Sequence, residues 1–182
     1  SLIYNREAKY LLEYEKRIAD EFDKLFIVSE AEKALFQRLI PTDKIHAISN
    51  GVDLDFFNPD HQPGIQIKSP ALVFTGAMDY WPNIDGALWF VEQVLPLIKK
   101  HFPDVNLYLV GSKPSAELKK LGEIEGITIT GFVDEIRDYI IQADVCVIPL
   151  RIARGIQNKV LEAMAMGKAV VSTTDAAEGL LI

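Results

Sequence analysis

The sequence predicts an α/β protein built on a Rossmann-like, doubly wound parallel sheet, preceded by a smaller segment of helices and strands. After Pro70, five short β-branched runs alternate regularly with four helical patterns, which indicates right-handed βαβ crossovers. The runs are four to six residues long and rich in β-branched residues, without the alternation of a half-exposed strand, as in strands covered on both faces. The chain has 182 residues, 49% of them apolar, which is enough for one sizeable core.

The first 50 residues give weaker signals of the same kind. An amphipathic pattern predicts a helix over residues 2–22. A short strand over 25–28 follows, and Ser29 then begins a helix of about ten residues because it is a favoured N-cap. A second short strand is predicted over 45–48, and the Asn50-Gly51 pair is a turn signal.

Residues 51–70 are rich in Pro, Gly and Asp and show little periodicity. We therefore predict three parts, namely the remnant of another domain over 1–50, an interdomain linker over 51–70 and the main domain over 71–182. The chain begins inside a helical pattern and ends just after a strand. We expect it to be a piece of a longer protein.

The regular part of the chain predicts the edge at which a ligand would bind. Strands are expected over 71–75, 106–110, 127–130, 145–149 and 169–173, and helices over 84–101, 115–121, 135–142 and 156–166. In sheets of this kind ligands bind outside the carboxyl ends of the strands. The loops expected to contact a ligand are therefore 76–83, 111–114, 131–134, 150–158 and 174–179.

Composition excludes several function classes. The net charge is −7 and the sequence pI about 5.0, with no basic stripe, so nucleic acid is not an expected partner. The single cysteine, Cys146, lies in an apolar run and cannot form an internal disulfide. Three histidines without a CxxC motif make a zinc site unexpected. Without a signal peptide or an apolar run of about 20 residues, we expect a cytoplasmic location.

The segment from Pro149 to Gly167 carries the most chemistry. Gly155 precedes a predicted helix, whose free N–H groups can accept an anion, and glycine allows close approach of the backbone. Lys159 and Glu162 are three residues apart and share a helical face with Gly155. The lysine suits a diphosphate, and the carboxylate suits the vicinal hydroxyls of a ribose. An exposed Lys159–Glu162 ion pair, contributing a few tenths of a kcal/mol, is the structural alternative.

The same segment resembles a known family. The string from Gly155 to Thr173, GIQNKVLEAMAMGKAVVST, resembles the donor-site signature of family 4 glycosyltransferases with the GT-B fold. Three further motifs agree in order and spacing: Asn50-Gly51-Val52-Asp53, Phe74-Thr75-Gly76 and Gly131-Phe132-Val133. The stretch 26–30 resembles the end of the family's acceptor domain. The subgroup that it resembles is the bacterial sugar transferases linked to exopolysaccharide and PEP-CTERM protein-sorting systems.

The resemblance implies a retaining transfer of sugar from a nucleotide-diphosphate sugar to an acceptor hydroxyl, with no cofactor and no metal. This chain would supply the donor-binding half, and the missing N-terminal domain would bind a sugar or lipid-linked acceptor, at the inner face of the membrane in some relatives. No catalytic residue is assigned. The donor-binding residues that the resemblance and the loops together indicate are Gly76, Phe132, Val133, Arg151, Arg154, Gly155, Asn158, Lys159 and Glu162.

Two positions depart from the family pattern. Glu162 matches the second of the family's paired glutamates, but the first would fall at Arg154. The family often places an Arg and a Lys after the first-strand glycine to bind the diphosphate, and the loop 76–83 has no basic residue. We therefore expect Arg151, Arg154 and Lys159 to supply that charge, and we expect this chain by itself to be inactive in transfer.

Proteins of other function classes also have sheets of this kind. A nucleotide-sugar 2-epimerase of the same fold, or a non-catalytic nucleotide-binding domain, would carry the same motifs. A dinucleotide-dependent oxidoreductase would need G-x-G-x-x-G after the first strand, which the sequence from Gly76 lacks. A receiver-type signalling domain would need an acidic cluster at the end of the first strand and an Asp after the third, and the chain has neither.

Overall fold

The structure, a computed structural model, describes residues 2–180, with the side chains of residues 3–180. The described chain forms two compact units that meet in sequence between Asn50 and Gly51.

The first unit contains two helices and a two-stranded parallel sheet. Its elements are α1 (Leu2–Glu21), β1 (Leu25–Ile27), α2 (Glu30–Leu39) and β2 (Ile45–Ala47). Leu25 of β1 lies opposite Ile45 of β2. Ser29 Oγ accepts a hydrogen bond from Glu32 N at 3.1 Å, which is the predicted cap of α2. Even the 20-residue α1 fails to combine the length and apolar character that a membrane-crossing helix needs, and no other described helix does better.

The second unit, Gly51–Leu180, is built on a five-stranded parallel sheet. Its strands are β3 (Ala71–Thr75), β4 (Asn106–Val110), β5 (Ile127–Gly131), β6 (Val145–Ile148) and β7 (Val170–Ser172), in the spatial order β5-β4-β3-β6-β7. This confirms the predicted doubly wound α/β fold. The bounds of β3 and β4 are those the sequence predicts, because each is a mostly apolar run directly followed by a glycine.

The helices cover both faces of this sheet. They are α3 (Trp81–Trp89), α4 (Leu95–Lys99), α5 (Ala116–Leu121), α6 (Arg137–Gln142), α7 (Asn158–Ala165) and α8 (Thr174–Ala177). A π-helical turn, Phe90–Val94, joins α3 to α4, with Leu95 N bonded to the carbonyl of Phe90. Pro96 explains this turn, because proline has no N–H to give the carbonyl four residues back.

The core lies on both faces of the sheet, as the unbroken apolar strands predict. Leu72 and Phe74 of β3 pack in one cluster, and Ala71 and Val73 of the same strand pack in the other. Successive strand side chains point to opposite faces, so all four are buried. Cys146 lies in the second cluster, and its burial raises its pKa to about 11.

Residues 51–70, for which we predicted a linker, contain neither helix nor strand, and side-chain contacts fix them to the second unit. His61 Nε2 lies 2.7 Å from Asp138 Oδ1 of α6, and both side chains are nearly buried. Arg137 donates to the carbonyl of Phe56 at 2.9 Å, and its guanidinium carbon lies 3.7 Å from the centre of that ring. The segment therefore packs along α6.

Candidate functional site

The strand order places a crevice at the carboxyl ends of β3 and β6. The chain crosses to β4 on one side of β3 and returns to β6 on the other, so the loops after these two strands separate there. The loop after β3 begins at Gly76, whose φ is +155° and whose N–H bonds to the carbonyl of Val110 at 3.0 Å. A Cβ at Gly76 would lie 2.8 Å from Lys159 Nζ. Glycine at this position therefore lets α7 bring its lysine against the turn.

Lys159 is held at this turn by neutral groups from two other elements. Its Nζ donates to Asn83 Oδ1 at 2.7 Å and lies 4.7 Å from the centre of the Phe74 ring. Asn83 is 4% exposed, and its Nδ2 donates to the carbonyl of Ala77 at 2.9 Å. The amide thus joins the start of α3, the turn after β3 and the lysine of α7.

Burial acts on both ionisable groups of this site. It lowers the pKa of Lys159 to about 8, while the Glu162 carboxylate acts in the opposite direction. It also raises the pKa of Glu162, against the pull of Lys159. The two residues are therefore a half-buried, electrostatically coupled pair. This differs from the fully exposed ion pair that was the structural alternative for these positions.

The loop before α7 differs from its predicted form. Helix α7 begins at Asn158, two residues later than the predicted 156, because Gly155 has φ +65° and Gln157 is extended. Gly155 is therefore not on a helical face with Lys159 and Glu162, and that prediction is wrong. Glu162 lies one turn into the helix, and Asn158 opens it with an exposed side chain. Gln157, the N-cap, makes no capping hydrogen bond through its side chain.

The two arginines of this loop pair with acidic side chains. Arg151 Nε donates to Asp85 Oδ2 of α3 at 2.9 Å, with a second contact between Nη2 and Oδ1, and this hydrogen bonding raises its pKa. Arg154 Nη1 lies 3.4 Å from Glu178 Oε2, and both side chains are exposed. Lys159 is thus brought to the Gly76 turn, while Arg151 and Arg154 are bound by carboxylates.

The residues after β5 divide between solvent and core. Gly131 has φ +71°, and Phe132 beyond it is 75% exposed at the carboxyl edge of the sheet. Val133 is half-buried and packs against the core on the α6 side. The Phe132 ring is accessible to a ligand, whereas Val133 anchors the loop to the core.

Asn83 is a site residue that our sequence reasoning missed. Its only signal was position, in the loop at the carboxyl end of β3 beside the helix-starting Pro82. Its lysine partner lies 76 residues further along the chain. Within residues 2–180, no three His, Cys, Asp or Glu side chains are grouped as a metal site would require.

Comparison with known proteins decides the family. The model of the family described as "Glycosyl transferases group 1" matches residues 69–181, more than half of the chain. The chain belongs to the group 1 glycosyltransferases. The matched segment contains every strand of the five-stranded sheet and all nine residues for which we predicted donor binding.

Other proteins are similar to this group 1 glycosyltransferase chain in sequence or in structure. A 44.6 kDa protein in the cps region of Klebsiella pneumoniae is 26% identical over 94% of this chain and 46% of its own length. A glycosyltransferase from Rickettsia africae has a TM-score of 0.76 and 21% identity over 95% of this chain and 50% of its own. The Anabaena protein HepE, solved with UDP and glucose, has a TM-score of 0.68 and 17% identity over 94% and 50%. The chain spans about half the length of these proteins.

Proposed function

We propose that the protein transfers a sugar from a nucleotide-diphosphate sugar to an acceptor hydroxyl, and that residues 51–180 bind the donor. The observation that carries this proposal is the ammonium of Lys159, held against the Gly76 turn by a neutral amide at the crevice of the sheet. Membership of the group 1 family supports the reaction class. The complex of HepE with UDP and glucose supports a uridine nucleotide as the first ligand to test.

In this proposal the unit stabilises the leaving group. When the bond between the sugar and the diphosphate breaks, negative charge develops on the nucleoside diphosphate, and fixed positive groups lower the barrier. Lys159 supplies one such charge, and the N-terminus of α7 adds partial positive charge from its first N–H groups. Glu162, one turn further along, accepts hydrogen bonds from the ribose hydroxyls. The exposed Phe132 ring borders the base.

The remaining parts of the proposal come from the resemblance. They are retention at the anomeric carbon, transfer without a metal or cofactor, and a sugar or lipid-linked acceptor bound by the rest of the protein, in the cytoplasm or at the inner membrane face. NMR analysis of the product's anomeric configuration tests retention. The 182-residue chain is expected to bind donor nucleotide weakly and to show no transfer. Measurable sugar transfer by the purified chain would contradict that expectation.

Calorimetric titration tests donor binding directly. UDP, GDP and ADP are titrated into the full-length protein, and the tightest is then titrated into Lys159→Ala. Loss of a charge-assisted contact should weaken binding by about 1–3 kcal/mol. Lys120→Ala, an exposed lysine in the last turn of α5, is the matched control and should bind as the unmodified protein does. Equal affinity of Lys159→Ala and the control would reject this role.

Two other functions would share this donor site. A nucleotide-sugar 2-epimerase would return a changed nucleotide sugar in the absence of acceptor, so product analysis of the full-length protein separates it from a transferase. A non-catalytic binding domain would pass the titration and yield no product with any acceptor.

A further inference from the structure

The two halves of the Asn83 amide have different partners, one as donor and one as acceptor. Asn83 is nearly fully buried at the start of α3, and each half of its amide has one partner. The Nδ2 group donates to the carbonyl of Ala77, in the turn after β3, and this contact fixes the orientation of the side chain. The Oδ1 atom consequently faces Lys159 Nζ, 2.7 Å away. A side chain from one helix thus fixes the position of the cation of another.

We propose that Asn83 is a positioning residue of the donor site, which holds the Lys159 ammonium against the Gly76 turn without neutralising it. This inference rests on the proposed function, since it assigns the ammonium to the diphosphate of the donor. An ammonium has three N–H donors, and Asn83 accepts from one of them. The charge and the other donors can then serve an anion that enters the crevice.

An uncharged acceptor matters here because of what surrounds the lysine. From α3 it is faced by the Asn83 amide, from β3 by the Phe74 ring, and from the turn after β3 by the Gly76 backbone. From its own helix it is faced by the Glu162 carboxylate. A second carboxylate at position 83 would form an ion pair with Lys159 in a half-buried site. The pair would cancel the field that attracts a diphosphate and would also repel the ligand's own charge.

Two substitutions should move the pKa of Lys159 in opposite directions. Asn83→Asp adds a negative charge beside the ammonium, so the pKa of Lys159 should rise from about 8 towards its ordinary value. Asn83→Ala removes the acceptor and leaves the burial, so the pKa of Lys159 should fall further. NMR titration of protein labelled at the lysine ε-carbon measures both shifts in the unliganded full-length protein. Shifts of opposite sign would show that position 83 acts directly on the ammonium, and nucleotide affinity then tests whether that contact serves the ligand.

Binding of the tightest nucleotide among UDP, GDP and ADP gives the second readout. At pH 7 both variants should bind it at least ~10-fold more weakly than the unmodified protein. In the unmodified protein affinity should decline as pH rises through about 8, because Lys159 loses its proton. The decline should begin at higher pH in Asn83→Asp and at lower pH in Asn83→Ala. Asn106→Asp adds a charge at the amino ends of the strands, away from the crevice, and serves as the control. It should change neither the pKa of Lys159 nor the nucleotide affinity.

The outcomes separate this inference from the proposed function. If the unmodified protein binds none of the three nucleotides, the donor site and the role of Asn83 in it are both overturned. If it binds one of them but both Asn83 variants keep its affinity and its pH profile, the positioning role alone is overturned. Shifts of the Lys159 pKa in the same direction in both variants would likewise overturn it.

Discussion

Two half-buried cations of the second unit are held in contrasting ways. Arg137 of α6 is bound by a carboxylate, since its Nε donates to Glu135 Oε1 at 2.8 Å, and it also donates to the carbonyl of Phe56. Lys159 of α7 is hydrogen-bonded to a neutral amide, and its burial is reflected in a pKa of about 8. One cation is hydrogen-bonded to a carboxylate inside the fold, and the other is hydrogen-bonded to an uncharged group.

The difference separates a structural cation from one suited to a ligand. Arg137, with Glu135, His61 and Asp138, forms a cluster that fixes residues 51–70 along α6, and we name it the α6 cluster. A buried charge without a hydrogen-bonded carboxylate costs stability, so a protein that keeps one is expected to use it. The fold thus carries an energetic cost at Lys159 that a bound diphosphate would offset.

The largest effect is expected from Lys159→Met, which replaces the ammonium with an apolar side chain of similar length. Burial of Lys159 costs more than the attraction of Glu162 returns, since the net effect lowers the lysine pKa, so removing the charge should raise the free energy of unfolding by about 1–3 kcal/mol. The same change should weaken nucleotide binding by about 1–3 kcal/mol, as in Lys159→Ala. Urea denaturation and calorimetry measure the two effects, with Lys120→Met as control. A variant that is both less stable and unchanged in nucleotide affinity would break the distinction between the two cations.

The opposite pattern is expected in the α6 cluster. Asp138→Ala removes the buried carboxylate that contacts His61, so the free energy of unfolding should fall by about 1–3 kcal/mol. Nucleotide affinity of the protein that remains folded should not change. Asp134→Ala, an exposed aspartate just before this cluster, should alter neither quantity. A loss of affinity in Asp138→Ala larger than the loss of stability would show that the two regions are coupled.

The α6 cluster and the Lys159 site should also change the free energy of unfolding at opposite ends of the pH range. The Arg137 hydrogen bonds hold the pKa of Glu135 at about 2, so its contribution is present above its ordinary value of 4.5 and is lost as pH falls towards 2. This partly exposed group should contribute about 1 kcal/mol or less, and Glu135→Gln should remove that acid dependence.

The pKa of Lys159 is lowered in the folded state, so the destabilisation caused by burying its charge is full below pH 8 and is relieved between about pH 8 and 10.5. Stability should therefore rise with pH in that window, and Lys159→Met should lack the rise. Denaturation series at fixed pH values measure both.

The fold was predictable because its signals are local. The strands of the sheet are short runs rich in apolar and β-branched residues, and each is separated from the next by a helical pattern, so the local pattern gives β3 and β4 their observed bounds. The missed α8 has only four residues, too few for a periodic pattern, and Thr173 caps it through its side chain. The late start of α7 follows from the backbone of Gly155 and Gln157, which the helical pattern of the sequence does not encode.

The sequence by itself determined the family, the loops that follow the carboxyl ends of the strands, and the helix on which Lys159 and Glu162 lie. Only the tertiary structure decided which partners the charged side chains take. Asn83 meets Lys159, Asp85 meets Arg151, and His61 meets Asp138, each across more than 60 residues of chain. Such pairings depend on how sheet and helices bring distant segments together, because a side chain's partner is set by distance in space and not by separation along the chain.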